Sequence, residues 1–574
     1  MGVVLQVSRF AKIVWENMRK HDRVIVLGVY ILLAIAITLP FFKDPMNILI
    51  SPMNGDAGYS SILFEAIKRE GLNPFIDGYA MSIAYPDGID INTAVNRVSF
   101  FSTLLIWFGT NITNAFFAHS LLALLGVLLS AIIAYLFVRK VTGSIIAGFV
   151  SGLILGFAPI MVATLFSANI YTYMGLHVLV IWMYWDLIMK GFSKRRASVT
   201  LLVVFLCLFW TPYYTFHILL VAGAATVVTG VVWLRARADT ATFMRIGGLL
   251  VSLLVFAVFY YLIGSTTQYG GAPQRSVEEI YEQSASPLMY ILPGATSIFG
   301  QGLHELLVDK VPRAGYTSLY LGVTTLILAA LSLQILRVRS KQLRPIRMAV
   351  IICLAVAFVT FVFSLAPTIA IAGVTIPTPS YLIAEFVPSL RAGQRLVMPL
   401  LASVAVLAGI GLYMLIRNRS RTQKVLLVVL VIGAVVIDLA SLPSQRYTTN
   451  QSKELFTALA SRTNGPTAVY LHNSLVSNPG QPICYYQFDH KMPLINDCAI
   501  QRDPGDFDKP KEYLSTIIHL DVCDQIKQLG DRGIRYLIIA KDNNSDVLHC
   551  ESLENKYVQI TSDNEFMILE AGND

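Results

Sequence analysis

Charge is scarce in this chain. Only 14% of its 574 residues are Asp, Glu, Lys or Arg, where a soluble domain carries about 25%. Apolar residues fill the deficit at 55%, and the mean hydropathy is +0.61. The composition is that of an integral membrane protein, so spans are read before folds. Several motifs are also missing. There is no glycine-rich phosphate loop, Walker pattern, HExxH or GxSxG, which disfavours a nucleotide-powered pump and a soluble-type hydrolase. No repeat of solenoid period and no low-complexity tract occurs. The two halves lack the parallel or inverted match that many transporters carry.

What is present is a series of apolar runs, each near the ~20 residues that a span requires. They lie at 24–42, 112–138, 144–166, 172–189, 198–212, 215–234, 246–264, 316–336, 348–366, 397–416 and 425–443, eleven in all. The run at 24–42 exceeds the usual ~7–15-residue core of a signal peptide, so it is read as a retained span.

Lys and Arg clusters lie before the first run and after the second, fourth, sixth, eighth and tenth; the alternate gaps have none. By the positive-inside rule the N-terminus is cytoplasmic and the C-terminus extracytoplasmic, in a multi-pass protein of the plasma (cell inner) membrane. The net charge of +8 is then mostly an orientation signal, which argues against a nucleic-acid partner. Outer segments are long: 43–98, 265–315, 367–396 and everything from 444 onward.

The tail alternates helical and β-rich stretches: SKELFTALASR, TAVYLH, DVCDQIKQLGDRG, RYLIIAK, YVQITS and FMILEA. The expected architecture is an all-α polytopic membrane domain over 1–443, with a small extracytoplasmic α/β domain over 444–574. Cys207 and Cys353 lie in spans, whereas Cys484, Cys498, Cys523 and Cys550 are confined to the tail. Four cysteines in an outward domain suggest two disulfides. Cys484–Cys498 and Cys523–Cys550 each close a short local loop, but three pairings are open.

Asp56 follows the first span in NGDAGYSSILFEAIKRE. Tyr59, Ile62, Leu63, Ala66 and Ile67 share helical spacing, the pattern of a helix lying in the interface. NRVSFFSTLLIWFG reads as a second such helix. By itself Asp56 is an ordinary helix N-cap or turn residue.

The whole layout, however, resembles the C-type membrane glycosyltransferases (the GT-C superfold). The likeness rests on NGDAGY after the first span, two amphipathic stretches in 58–108, and a large loop at 265–315 after span seven. NPFIDGYAMSIAYPDG, SASPLMYILPGATSIFG, SLYLGV, FVPSLRAGQRLVMPLLASVAVLAG and RGIRYLIIAK resemble local signatures of that group, in order along nearly the whole chain. One acidic residue follows span one rather than a clear pair, which leaves the exact family open.

The resemblance implies a glycosyltransferase, hexosyl- or pentosyl- and inverting. Its donor is a polyprenyl-phosphate sugar, and its acceptor a cell-envelope glycan, lipid or protein at the bilayer surface. Asp56 is the candidate base for the acceptor hydroxyl, with Asp87 second and Asp77 third. Arg391 and Arg395 in RAGQR are candidates for the donor phosphate, with Arg275, Lys310 and Arg313 weaker. Alternatively, RAGQR snorkels or pairs with Glu385 or Asp438. Asp56 and one of these arginines are expected roughly 6–12 Å apart.

Tyr59, Tyr85, Asp77 and His304 are candidates to line the substrate cavity, although a lone loop histidine is usually structural. His177 and His217 either line an acceptor cavity or, the favoured reading, act as interfacial anchors with Tyr171, Tyr173, Tyr213 and Tyr214. No cofactor and no metal site is called; a divalent cation is left open. Two other classes stay open: a transporter or flippase of a lipid-linked glycan, and a catalytically silent scaffold of the same fold.

Overall fold

The fold is that of a computed structural model. It describes residues 22–52, 55–82, 88–91, 99–167, 169–235, 240–266, 277–307, 319–338, 340–371, 374–386, 393–441 and 446–449, and parts of 456–572. The protein is a multi-pass helical membrane protein with small sheets. Among the described residues six helices are long and apolar enough to cross a membrane: Ala115–Thr142, Ile170–Lys190, Pro212–Arg235, Arg344–Ser364, Gly393–Ile416 and Arg421–Leu439. Ile145–Phe157 and Pro159–Leu165 make a seventh if a pair bent by 47° counts as one span. Pro159 opens the second half, and a residue without an N–H cannot continue the first half's ladder. Phe100–Ile112, Met244–Phe259 and Val323–Arg337 are shorter apolar helices.

The bundle has two chemically different ends. At one, Arg139 pairs with Asp22 at 2.7 Å and Lys140 with Asp186 at 3.0 Å. There too Arg245 donates to the Phe192 carbonyl at 3.2 Å and Arg347 to that of Val338 at 3.0 Å. The opposite end is joined mostly by neutral bonds. Trp210 Nε1 donates to Ile170 O, Tyr447 Oη to Ile37 O (both 2.8 Å), and Gln394 N to Gln283 O at 3.0 Å.

Helix Val397–Ile416 runs through the centre and is buried along most of its length. Its glycines allow that depth: a Cβ on Gly411 would lie 1.7 Å from the Leu328 carbonyl oxygen.

Helix Asp56–Arg69 carries the buried face read from its spacing, with Ile62, Leu63, Ala66 and Ile67 inside, and Phe64 as well. Tyr59 stays half-exposed. Phe100–Ile112 is the second helix of that pair.

Two features carried no signal in the chain. Thr368–Ile371 and Val374–Pro377 form an antiparallel hairpin between helices Arg344–Ser364 and Gly393–Ile416. Ile48–Leu49 pairs antiparallel with Thr448–Thr449, about 400 residues away, and Thr448 Oγ1 donates to Ser51 O at 2.9 Å.

In the tail, strands Thr467–Tyr470, Tyr536–Ala540, Phe566–Ala571 and Tyr557–Ser562 stand in that order in one sheet. The first pair is parallel and the others antiparallel. Tyr536–Ala540 is buried on both faces: Tyr536 and Ile538 join the large apolar cluster, Leu537 and Ile539 the tail's own core. Helix Val522–Asp531 covers that core. Asp521 caps it at one end, and Gly533 at φ +76° turns the chain at the other. Cys523 and Cys550 form a disulfide; Cys484 and Cys498 lie outside the described residues. Cys207 and Cys353 are buried and free.

Candidate functional site

Asp56 occupies the first turn of its helix and is not the cap. Gly55 is the N-cap, in extended geometry with no side-chain bond. It is wedged so closely that a Cβ would lie 2.9 Å from the Ser167 carbonyl and 2.6 Å from Ser51 Oγ. Ala57 N donates to that same Ser167 oxygen at 3.3 Å. The start of the helix is thus pinned against the C-terminal end of the bent pair, and the helix dipole favours a carboxylate there.

The Asp56 side chain is 58% exposed, and its Oδ2 lies 3.8 Å from Nη2 of Arg395. The expected 6–12 Å separation is therefore corrected to a direct, loose ion pair. The turn Gly393–Leu396 carries Arg395 up to the helix Asp56 begins, instead of leaving it across a cavity.

Arg395 is held more firmly than Asp56. Its Nη1 donates to Tyr171 Oη at 3.0 Å. Its Cζ lies 4.7 Å from the Tyr171 ring centroid and 4.3 Å from that of Tyr213, a cation between two aromatic faces. The clamp is itself braced, because Tyr214 Oη donates to the Tyr171 carbonyl at 2.8 Å. One position earlier, Gln394 is tied by its backbone and its amide to Gln283, in the long segment after Thr240–Thr266. Among the described residues Asp438 makes no ion pair with Arg395; its carboxylate accepts from Tyr320 Oη and Thr324 N.

The anchor reading of the neighbouring aromatics is corrected too. Tyr171, Tyr173, Tyr214, His177 and His217 are all buried in the bundle. The two histidine rings lie 5.6 Å apart. His177 Nδ1 donates to Met174 O at 3.0 Å, while His177 Nε2 and His217 Nδ1 make no hydrogen bond among the described residues. These rings form the floor beneath the arginine clamp. The pairing of tyrosines at the starts of two different spans has no local pattern that would have revealed it.

The other candidates divide. Tyr59 lies one turn beyond Asp56, and burial first, then the Asp56 charge, raises its phenol pKa above the usual value; it remains a neutral donor near the carboxylate. Asp77 is used in a turn, its carboxylate accepting Asn73 N. His304 is buried and donates from Nδ1 to the Pro293 carbonyl at 3.0 Å, a packing role. Tyr85, Asp87, Arg275, Lys310, Arg313 and Arg391 lie outside the described residues. Among the described residues no three His, Cys, Asp or Glu side chains gather as a metal site. Asp56 and Tyr59, one helical turn apart, offer an exposed proton acceptor and a neutral donor, and Arg395 brings a fixed cation to them from the turn Gly393–Leu396.

The arabinofuranosyltransferase AftD from Mycobacteria superposes with a TM-score of 0.51 at 14% identity, over 97% of this chain and 42% of that one. ArnT from Cupriavidus metallidurans, bound to undecaprenyl phosphate, gives 0.48 at 15% identity, over 95% and 99%. The archaeal oligosaccharyltransferase AglB from Archaeoglobus fulgidus, with an inhibitory peptide and a dolichol-phosphate, gives 0.45 at 9% identity, over 91% and 70%. The likeness to AftD is one of fold. No curated protein matches the sequence. A family model described as a domain of unknown function (DUF6311) matches residues 78–440, well over half of the chain, and the protein belongs to that family.

Proposed function

We propose that the protein is a membrane glycosyltransferase that uses a polyprenyl-phosphate sugar, with Asp56 as general base and Arg395 as the cation for the donor phosphate. The observation that carries this reading is the Asp56–Arg395 pair at the bundle end opposite the basic clusters. A lipid-linked donor keeps its phosphate at the membrane surface. The acceptor hydroxyl is a weak nucleophile, and a carboxylate at that depth takes its proton as the oxygen attacks the anomeric carbon. The leaving phosphate gains charge as the bond breaks, and a guanidinium held by two rings meets that charge without reorganising. One base and direct displacement invert the configuration. The acceptor on this reading is a cell-envelope glycan, lipid or protein.

The end-to-end contacts support eleven crossings. Helix 22–37 starts at the Arg139 end and finishes where Tyr447 bonds Ile37. Lys194–Leu208 runs from the basic end to Trp210, which bonds Ile170. Thr240–Thr266 starts where Arg245 bonds Phe192 and later packs Phe259 on Phe209. Val323–Arg337 runs from the Asp438 contact to Val338, which bonds Arg347. Added to the six long helices and the bent pair, these four make eleven. With the basic ends cytoplasmic, Asp56 and the tail from 444 are extracytoplasmic.

The test is transfer by purified protein from a polyprenyl-phosphate sugar, monitored as loss of donor and gain of glycosylated acceptor in envelope extracts. Hydrolysis-free transfer that Asp56→Asn abolishes supports the reading. Vesicle translocation of a lipid-linked glycan without bond cleavage would replace it with the flippase alternative.

A further inference from the structure

The basic end of the bundle holds a cavity of about 270 Å³ lined by Met183, Asp186, Ser193, Arg195, Arg196, Val199 and Thr200. It lies on the far side from Asp56, and nothing in the transfer chemistry uses it. Its one carboxylate is already neutralised: Asp186 bonds Lys140 at 3.0 Å and Lys190 at 2.5 Å. Arg196 is also committed, donating to the carbonyls of Lys190 and Gly191 and so closing the end of their helix. Arg245 is spent on the Phe192 carbonyl. Arg195 differs. It is exposed at the cavity, and among the described residues no carboxylate pairs with it.

Below the cavity the surface changes character. Val199, Leu202 and Leu206 are all exposed large apolar residues. Their spacing of three and four puts them in one stripe along helix Lys194–Leu208. In a protein that crosses the bilayer such a stripe faces acyl chains. One helix therefore presents an uncommitted guanidinium at headgroup level and an apolar track beneath it. The cavity falls just under the ~300–1,000 Å³ of pockets for drug-sized ligands; it suits a phosphate headgroup whose chains lie outside.

We infer that this cavity binds the phosphate of an anionic phospholipid from the leaflet at the basic end, with Arg195 as its ligand and Val199, Leu202 and Leu206 as the chain track. The surplus of Lys140, Lys190, Lys194, Arg195, Arg196 and Arg245 over Asp186 gives the site its sign, and basic pockets between spans take such headgroups. The first turn of the Arg195 helix adds its positive end. A zwitterionic lipid would bring its own cation against Arg195 and bind less well.

The experiment uses the full-length protein in detergent, titrated with phosphatidylglycerol and scored by native mass spectrometry as lipid retained. Arg195→Gln is compared with Arg419→Gln, an exposed arginine elsewhere on the same end. Retention is expected to fall about ten-fold in Arg195→Gln, the worth of one charge-assisted hydrogen bond, and to stay near wild type in Arg419→Gln. Phosphatidylcholine should be retained weakly by all three proteins. Equal losses in both variants would mean diffuse attraction and overturn the site, as would no loss in Arg195→Gln. Inorganic phosphate displacing the lipid at equal concentration would reassign the cavity to a free anion.

Discussion

Tyr171 holds Arg395 twice, accepting a hydrogen bond from Nη1 at 3.0 Å and offering its ring at 4.7 Å to the same guanidinium. The two residues are 224 positions apart. Asp56, on a third element, meets the other terminal nitrogen at 3.8 Å while 58% exposed. An exposed pair of that kind is worth about 0–1 kcal/mol. The clamp therefore sets the cation, and the carboxylate is free to turn toward an acceptor.

Replacing Asp56 by Asn keeps the size of the side chain and removes the proton acceptor. A general base contributes about 10²–10⁴-fold. Turnover should fall within that range while donor affinity, measured by lipid titration, changes little. Full activity in Asp56→Asn would leave the carboxylate as a first-turn dipole partner and nothing more.

Arg395→Lys keeps the charge but loses the planar fork and the double ring contact. Donor affinity should weaken by about ten-fold or more. Tyr171→Phe retains the ring and removes the acceptor of one charged hydrogen bond, an effect of about 1.5–3 kcal/mol when buried. We expect the cation to lose its orientation, seen as a lower kcat with a near-normal KM. An unchanged kcat in Tyr171→Phe, with normal expression, would show the ring alone suffices.

Much of the fold could be read because its signals are local. Apolar runs, basic ends and the face of Asp56–Arg69 each repeat within a few residues, and the tail's strands are short β-rich runs closed by turns. The site was legible only in part. Asp56 and Arg395 stood out as a carboxylate and a cation next to spans. Their contact distance, the Tyr171–Tyr213 clamp and the pairing of Ile48 with Thr449 join segments hundreds of residues apart, and such contacts leave no periodic mark. Burial of His177 and His217 was missed for a related reason. Aromatics at span ends look alike whether they face headgroups or a neighbouring helix.

Gly411 tests the central packing. A methyl group there would sit 1.7 Å from the Leu328 carbonyl oxygen, and backbone cannot yield as a side chain can. Overpacking a tight core costs about 1–3 kcal/mol and occasionally more. Gly411→Ala should lower the thermal midpoint and the yield of monodisperse protein. Gly433→Ala, with open space around it, is the matched control and should behave as wild type.

The Cys523–Cys550 bridge joins cysteines 27 positions apart in the tail. Loops of this size gain about 2–4 kcal/mol from a disulfide. Reduction, or the Cys523→Ser, Cys550→Ser pair, should make the tail protease-sensitive at a lower temperature while the bundle keeps its helical signal. Peptide mapping without reductant should find the two cysteines linked. Free thiols at both positions in exported protein would remove the bridge, and with it one reason for placing the tail in an oxidising compartment.

Sidedness offers the last test, and it follows from contact rather than from charge. Ile48–Leu49 and Thr448–Thr449 share a ladder, and Thr448 Oγ1 bonds Ser51 O. Both segments must lie on one side of the membrane, so the chain crosses an even number of times between them. The six long helices and the bent pair all fall in that interval and make seven, an odd number. If all seven cross, an odd number of further crossings is needed among Phe100–Ile112, Lys194–Leu208, Thr240–Thr266 and Val323–Arg337, and the last three together give ten. Cysteine accessibility in intact cells should label single cysteines introduced at Asn47 and Arg446 from the same face, and one at Arg419 from the other. Labelling of Asn47 and Arg446 from opposite faces would break the parity and, with it, the placement of Asp56 beside the tail.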